Sequence, residues 1–285
     1  MLVDAFRAEA VRLLRNRMVL FWSVLFTPLV FAVGGVIFHL VAESRAPDME
    51  KAGLPQTLGN APVNLGDALT LGAGSGANGV ILVMMLIAAA TLYAGDYRWE
   101  SWRLISARNT RTNLILGKVG VLKAVAVAAM LTFLVAAFIF TVAQALVFER
   151  PLTFEYGADD WGRFALIWLL GLVRIVQYAM IALLTAVISR SLLAALFVPF
   201  AVGFVQSIFG QAGLPLLGWE PTEWAPQLIL PGLAYDTLKA AIQAGSGPEA
   251  EGLLVTKAAV SLALWSVVPL VGALAWFQRQ DLSKE

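Results

Sequence analysis

Long runs without a formal charge restrict this chain more than any other feature. Residues 18–38, 124–148, 191–218 and 258–277 contain no Asp, Glu, Lys or Arg. Residues 79–95 form a shorter uncharged run, and 164–189 is broken only by Arg174. A bilayer core of about 30 Å is crossed by roughly 20 apolar residues in a helix. Lipid offers no partner to free backbone groups, so runs of this kind cross as helices. The expected fold class is therefore all-α integral membrane, with six spans at 18–41, 79–95, 120–148, 164–189, 191–218 and 257–277. Composition agrees: only 14% of residues are charged, against about 25% in soluble domains.

Six spans put both termini on one side, and the basic residues choose that side. Residues 1–17, 96–123, Arg190 and the tail from Gln278 carry 13 Lys+Arg and 6 Asp+Glu. Segments 42–78, 149–163 and 219–257 carry 6 Lys+Arg and 13 Asp+Glu. The termini are accordingly expected in the cytoplasm. The basic leader and the long apolar run after it read as an uncleaved first span, not a secretory signal.

Residues 1–17 have the pattern of an amphipathic elbow helix. Leu2, Val3, Phe6, Ala10, Leu13 and Leu14 share one face, with Asp4, Glu9, Arg12 and Arg15 largely opposite. Such a helix is expected to lie in the cytoplasmic interface, arginines toward the headgroups. On the outer side, the glycine-rich run from Gly72 to Gly79 lacks the Gly-Lys-Ser/Thr ending of a phosphate loop and is expected to be loop. Segment 219–256 is apolar, too short to cross, and punctuated by Trp219, Trp224, Pro226, Pro231 and Tyr235. It is expected to be re-entrant or interfacial. Pro199 and Pro215 predict a kink or break in the fifth span.

Site chemistry is sparse. There is no cysteine, and His39 is the only histidine, so thiolate and histidine metal sites are excluded. His39, at the outer end of the first span, is expected to contact headgroups. Gly34, Gly35 and Gly171 are expected to ease helix packing. Arg174 falls near the bilayer midplane, where a lone charge costs about 2.5–3.5 kcal/mol on insertion scales. It is expected either to line a translocation path or subunit interface, or to be a structural arginine bonded to helix carbonyls. Gln177, one turn on, and Gln144 and Gln206 from neighbouring spans are its candidate companions.

The densest polar stretch on the basic side runs from Gly95 to Arg111 and leads into Gly117-Lys118. Two tryptophans beside four arginines exceed what a solvated linker needs, and suit a short helix docked on another protein. Here the chain resembles the type-2 ABC transporter permeases, particularly the bacterial exporters with six spans per subunit. Asp96-Tyr97-Arg98-Trp99 matches the opening of their acidic-aromatic-Arg-aromatic stretch. Arg103, Leu104, Ile105 and Arg108 match its helix, and Gly117-Lys118 its close. Glu100-Ser101 departs from the usual Gly-Thr. The resemblance extends over the whole chain as one permease domain with a coupling segment at 96–118. It implies that Asp96, Tyr97, Arg98, Trp99, Glu100, Trp102, Arg103, Arg108 and Arg111 engage a separate ATPase subunit. It further implies a second permease subunit, ATP and Mg on the partner ATPase, and a place in the inner membrane. No Walker A motif occurs in the sequence. A lipid-modifying membrane enzyme would call for clustered acids, histidines or a nucleophile. A secondary transporter would usually carry paired repeats and intramembrane acids.

Overall fold

The computed structural model describes residues 1–51, 61–98, 102, 109–244 and 249–280. Among them six helices are long and apolar enough to cross a membrane: Arg17–Arg45, Gly79–Arg98, Arg111–Val147, Ala158–Ser189, Leu192–Leu217 and Gly252–Arg279. These are the first to sixth spans of an all-α integral membrane fold. At about 1.5 Å per residue, the 37-residue third span is roughly 55 Å long. It starts well outside the apolar run, where the Thr110 hydroxyl accepts the Asn113 amide at 3.3 Å and caps the helix.

Small residues fill the centre of the bundle. Ala88, Ala89 and Ala90 of the second span, Ala126 and Ala129 of the third, and Ala182 and Ala186 of the fourth are all buried. Water cannot drive apolar helices together inside lipid, so this close packing of short side chains supplies the contact energy. The fifth span stands apart from that centre and exposes Phe197, Phe200, Phe204, Val205 and Ile208.

Two spans carry a π-helical turn, at Phe21–Phe26 and Phe209–Gly213. Each ends two residues before a proline, Pro28 and Pro215. A proline ring clashes with the carbonyl four residues earlier and offers it no N–H; the wider turn relieves that clash. In the first span the carbonyl left without its bond, that of Val24, accepts the Thr132 hydroxyl of the third span at 3.0 Å. The break expected in the fifth span thus lies at 209–213, while the helix Leu192–Ile208 continues through Pro199.

At the end of the bundle away from the termini, the chain is more ordered than the glycine pattern suggested. The helix of the first span continues to Lys51, and Gly66–Ser75 is helical, not loop. A Cβ on Gly72 would lie 3.2 Å from the Leu134 Cα and 2.5 Å from its Cδ1. Glycine here serves contact with the third span, and the backbone need not leave helical geometry. Val63–Asn64 pairs in parallel with Leu152–Thr153, tying the first connection at this end to the second. Trp224–Ile229 and Pro231–Ala244 form two short helices between the fifth and sixth spans. The Trp265 indole of the sixth span donates to the Leu228 carbonyl at 2.7 Å, and Lys239 donates to the Gly74 carbonyl at 2.7 Å.

Two expectations need correction. His39 is buried, its ring 4.5 Å from that of Phe140 and 6.0 Å from that of Phe148, so it packs between helices and does not face headgroups. Gly35 receives the same Phe140 ring. In the N-terminal helix Leu2–Arg15, Glu9 lies on the buried face with Ala5 and Leu13. The apolar side chains of Leu2, Val3, Phe6 and Leu14 are exposed beside it. The helix therefore has three sectors, and Glu9 does not share the outward side with Asp4 and Arg15.

Candidate functional site

Lys118 lies two turns inside the third span, and only 1% of it is exposed. A buried ammonium survives only with its three donors used, and the fold supplies three acceptors. Glu9 Oε1 of the N-terminal helix is 2.9 Å from Nζ. Asp96 Oδ2 of the second span is 2.5 Å away, and the Leu92 carbonyl accepts at 2.8 Å. Arg12 then places Nη1 2.6 Å from Asp96 Oδ1 and 3.5 Å from Glu9 Oε2. Among the described residues, two cations and two carboxylates join three chain segments in one ionic knot.

Gly117 makes that geometry accessible. A Cβ there would sit 2.9 Å from the Ala5 Cβ and 3.1 Å from backbone atoms of Ala5 and Phe6. Only glycine lets the N-terminal helix come down on the third span far enough for Glu9 to reach Lys118. The Gly-Lys pair is thus a seat followed by a counter-charge.

Trp102 closes the knot from the side of the segment between the second and third spans. Its indole is 5.1 Å from Lys118 Nζ, within cation–π range, and 4.6 Å from the Phe277 ring. It is only 1% exposed. In this conformation its side chain packs on its own chain, against Lys118 and Phe277. Tyr97 is also turned inward, donating to Gln280 Oε1 at 3.0 Å, while the Gln280 amide donates to the Val187 carbonyl. Arg111 donates to the carbonyls of Phe277, Gln278 and Gln280 at 2.9, 3.1 and 2.6 Å. A cation on these last carbonyls matches the negative end of the sixth span. Arg98 is exposed at the end of the second span. Trp99, Glu100, Arg103 and Arg108 lie outside the described residues.

The second polar feature is at the middle of the fourth span. Arg174 is 92% buried by its 8% exposure. Its Nη1 donates to Gln177 Oε1 at 2.9 Å and its Nη2 to the Tyr178 hydroxyl at 3.4 Å. The guanidinium carbon lies 4.9 Å from the Tyr178 ring centre and 5.7 Å from that of Tyr235. Its hydrogen-bond acceptors among the described residues are side chains, not the helix carbonyls. Arg174 borders a cavity of about 550 Å³ with Gln206, Gln211, Gly232, Tyr235 and Asp236. Burial pushes the Asp236 carboxyl up, against the downward pull of Arg174 and Lys239. Gln206 lines this cavity and donates to the Ile229 carbonyl at 3.2 Å. Gln144, near the far end of the third span, does not line it.

Sequence reasoning missed Glu9 and Lys118 as a pair, and missed Tyr178, Tyr235 and Asp236. A lysine two turns into an apolar helix was a readable demand for a counter-ion. Tyr178 was readable too, being four residues from Arg174 on the same helix face. Nothing in the spacing placed Asp236 beside Arg174, because the turns between the fifth and sixth spans decide that.

The chain is thus a six-span bundle tied by ion pairs at the end that carries its termini. Residues 5–282 match the model of the ABC-2 family transporter proteins, and the chain belongs to that family. It is thus a membrane permease component of an ABC transporter, and membership implies association with an ABC ATPase subunit. Searches of curated proteins and of solved structures found no match.

Proposed function

We propose that this chain is the permease of an ATP-driven exporter, coupled to a separate ATPase through the segment between its second and third spans. Both termini and that segment face the cytoplasm, in keeping with the excess of Lys and Arg there. The N-terminal helix rests its exposed Leu2, Val3, Phe6 and Leu14 in the interface of the inner membrane. The short helices at the opposite end re-enter the outer leaflet. ATP and Mg are bound by the ATPase, and a second permease subunit completes the path.

The knot around Lys118 carries this reading. A segment pushed by an ATPase moves spans only if it is fastened to them, and Trp102, Tyr97 and Arg111 fasten both of its ends. Through Lys118 the push reaches the N-terminal helix and the third span, and through Gln280 the fourth and sixth. The resemblance assigns Trp99, Glu100, Arg103 and Arg108 to contact with the ATPase.

Affinity purification from native membranes tests the partnership. An ATPase with Walker A and B motifs is expected to co-purify with the wild-type chain, and its yield should fall at least ten-fold with Trp99→Ala plus Arg103→Ala. Undiminished co-purification and unchanged ATPase stimulation in that double variant would remove the docking assignment.

A further inference from the structure

Arg174 is the one cation within the apolar runs, and the structure leaves its charge uncompensated at close range. Among the described residues no carboxylate lies within 4 Å of the guanidinium: its contacts are the Gln177 oxygen, the Tyr178 hydroxyl and two aromatic rings. The Gln177 amide nitrogen beside it is fully buried and has no hydrogen-bond partner. Gly232, in the first turn of the helix Pro231–Ala244, brings that helix end close. A Cβ on Gly232 would sit 3.1 Å from Arg174 Nη2. First-turn amides have no acceptor inside their own helix and add positive potential. Buried positive charge and a helix N-terminus therefore meet at one point of the cavity wall, where Arg174 and Gly232 both line it, with the Gln177 amide packed behind.

Another part of that wall is apolar. Leu82, Leu86, Phe200, Phe204 and Leu214 line it, and Phe200 and Phe204 are exposed on the fifth span, so the cavity is bordered by the apolar outer face of the bundle. Its volume of about 550 Å³ is within the range of small-molecule sites. We propose that this cavity binds an amphiphile with an anionic head group, phosphate or carboxylate, the head on Arg174 and the hydrocarbon chain along Phe200 and Phe204. The proposal deepens the permease reading and rests on it, by naming the chemical class that the path accepts. Asp236, also on the wall, sets an upper limit on affinity, because its carboxylate repels the same head group.

Binding to the purified full chain in the neutral detergent dodecyl maltoside tests this, with calorimetry as the readout. Dodecyl phosphate is expected to bind at least ten-fold more tightly than dodecyltrimethylammonium, dodecyl phosphocholine or dodecanol. Inorganic phosphate should bind far more weakly still. Dioleoyl phosphatidic acid, tested beside dodecyl phosphate, distinguishes a bilayer lipid from a single-chain amphiphile by which of the two binds tighter. Arg174→Gln should weaken dodecyl phosphate binding ten-fold or more, and Asp236→Asn should tighten it several-fold, a gain that misfolding does not produce. Equal binding of the cationic or zwitterionic probe, or unchanged binding in a folded Arg174→Gln variant, would overturn the proposal. If Arg174→Gln does not fold, Asp236→Asn decides alone, and unchanged or weaker binding in it counts against the proposal. Loss of a permease dimer in Arg174→Gln with unaltered dodecyl phosphate affinity would assign the arginine to a subunit interface instead. Because the assay uses the permease alone, its failure leaves ATPase co-purification untouched, and the reverse also holds.

Discussion

Lys118 shows how a single charge inside a helix bundle dictates its neighbours. Its ammonium is ion-paired with Glu9 and Asp96 and donates to the Leu92 carbonyl, so each of these partners offsets the burial of its charge. Lys118→Met should leave the buried carboxylates of Glu9 and Asp96 without their shared buried cation. Breaking a buried pair from one side costs about 3–5 kcal/mol, measurable as a lowered unfolding temperature in detergent. Adding Glu9→Gln to Lys118→Met should recover part of that loss, whereas additive losses in the double variant would show that the two do not interact. Arg174 was legible in the sequence as a charge in need of company, and Gln177 as its nearest companion. Lys118 was legible as a charge in need of a counter-ion, but Glu9 as that partner was not, because it is 109 positions away (118 minus 9) and on a different helix. For Trp102 a related limit applies: sequence marks an aromatic anchor without saying which of its neighbours in the same chain it packs on, here Lys118 and Phe277.

Periodicity and hydropathy made the spans legible, but their interruptions followed a rule visible only in the structure. Both π turns end two residues before a proline, and Thr132 takes up one of the carbonyls so released. The N-terminal helix shows the limit of a two-faced pattern. Hydrophobic periodicity found the apolar stripe, yet the stripe lies beside the packed face, and that face contains a glutamate. Close approach at Gly117 sets the face. Gly117→Leu should therefore lift the helix off the third span, at an overpacking cost of about 1–3 kcal/mol. Limited proteolysis should then cut within residues 1–17 faster than in the wild type; equal rates would deny glycine this role.

At the scale of the molecule, polar chemistry is divided between the two ends and the middle of the bundle. The knot and the basic segment occupy the termini-bearing end, Arg174 the middle, and the acidic connections the far end. This sorting predicts topology. The chain has no cysteine, so single cysteines report cleanly: one replacing Asn113 should be labelled by a membrane-impermeant maleimide only after cells are opened. One replacing Asp159 should be labelled in intact cells, and reversal of that pattern would invert the orientation. In the proposed function, ATPase motion enters the spans through the Lys118 knot. The most direct test is permease-stimulated ATP hydrolysis by the complex reconstituted in liposomes, compared between wild type and Lys118→Met at equal ATPase occupancy. The variant should bind the ATPase yet lose at least ten-fold of the stimulation. Full stimulation in a folded Lys118→Met complex would contradict it.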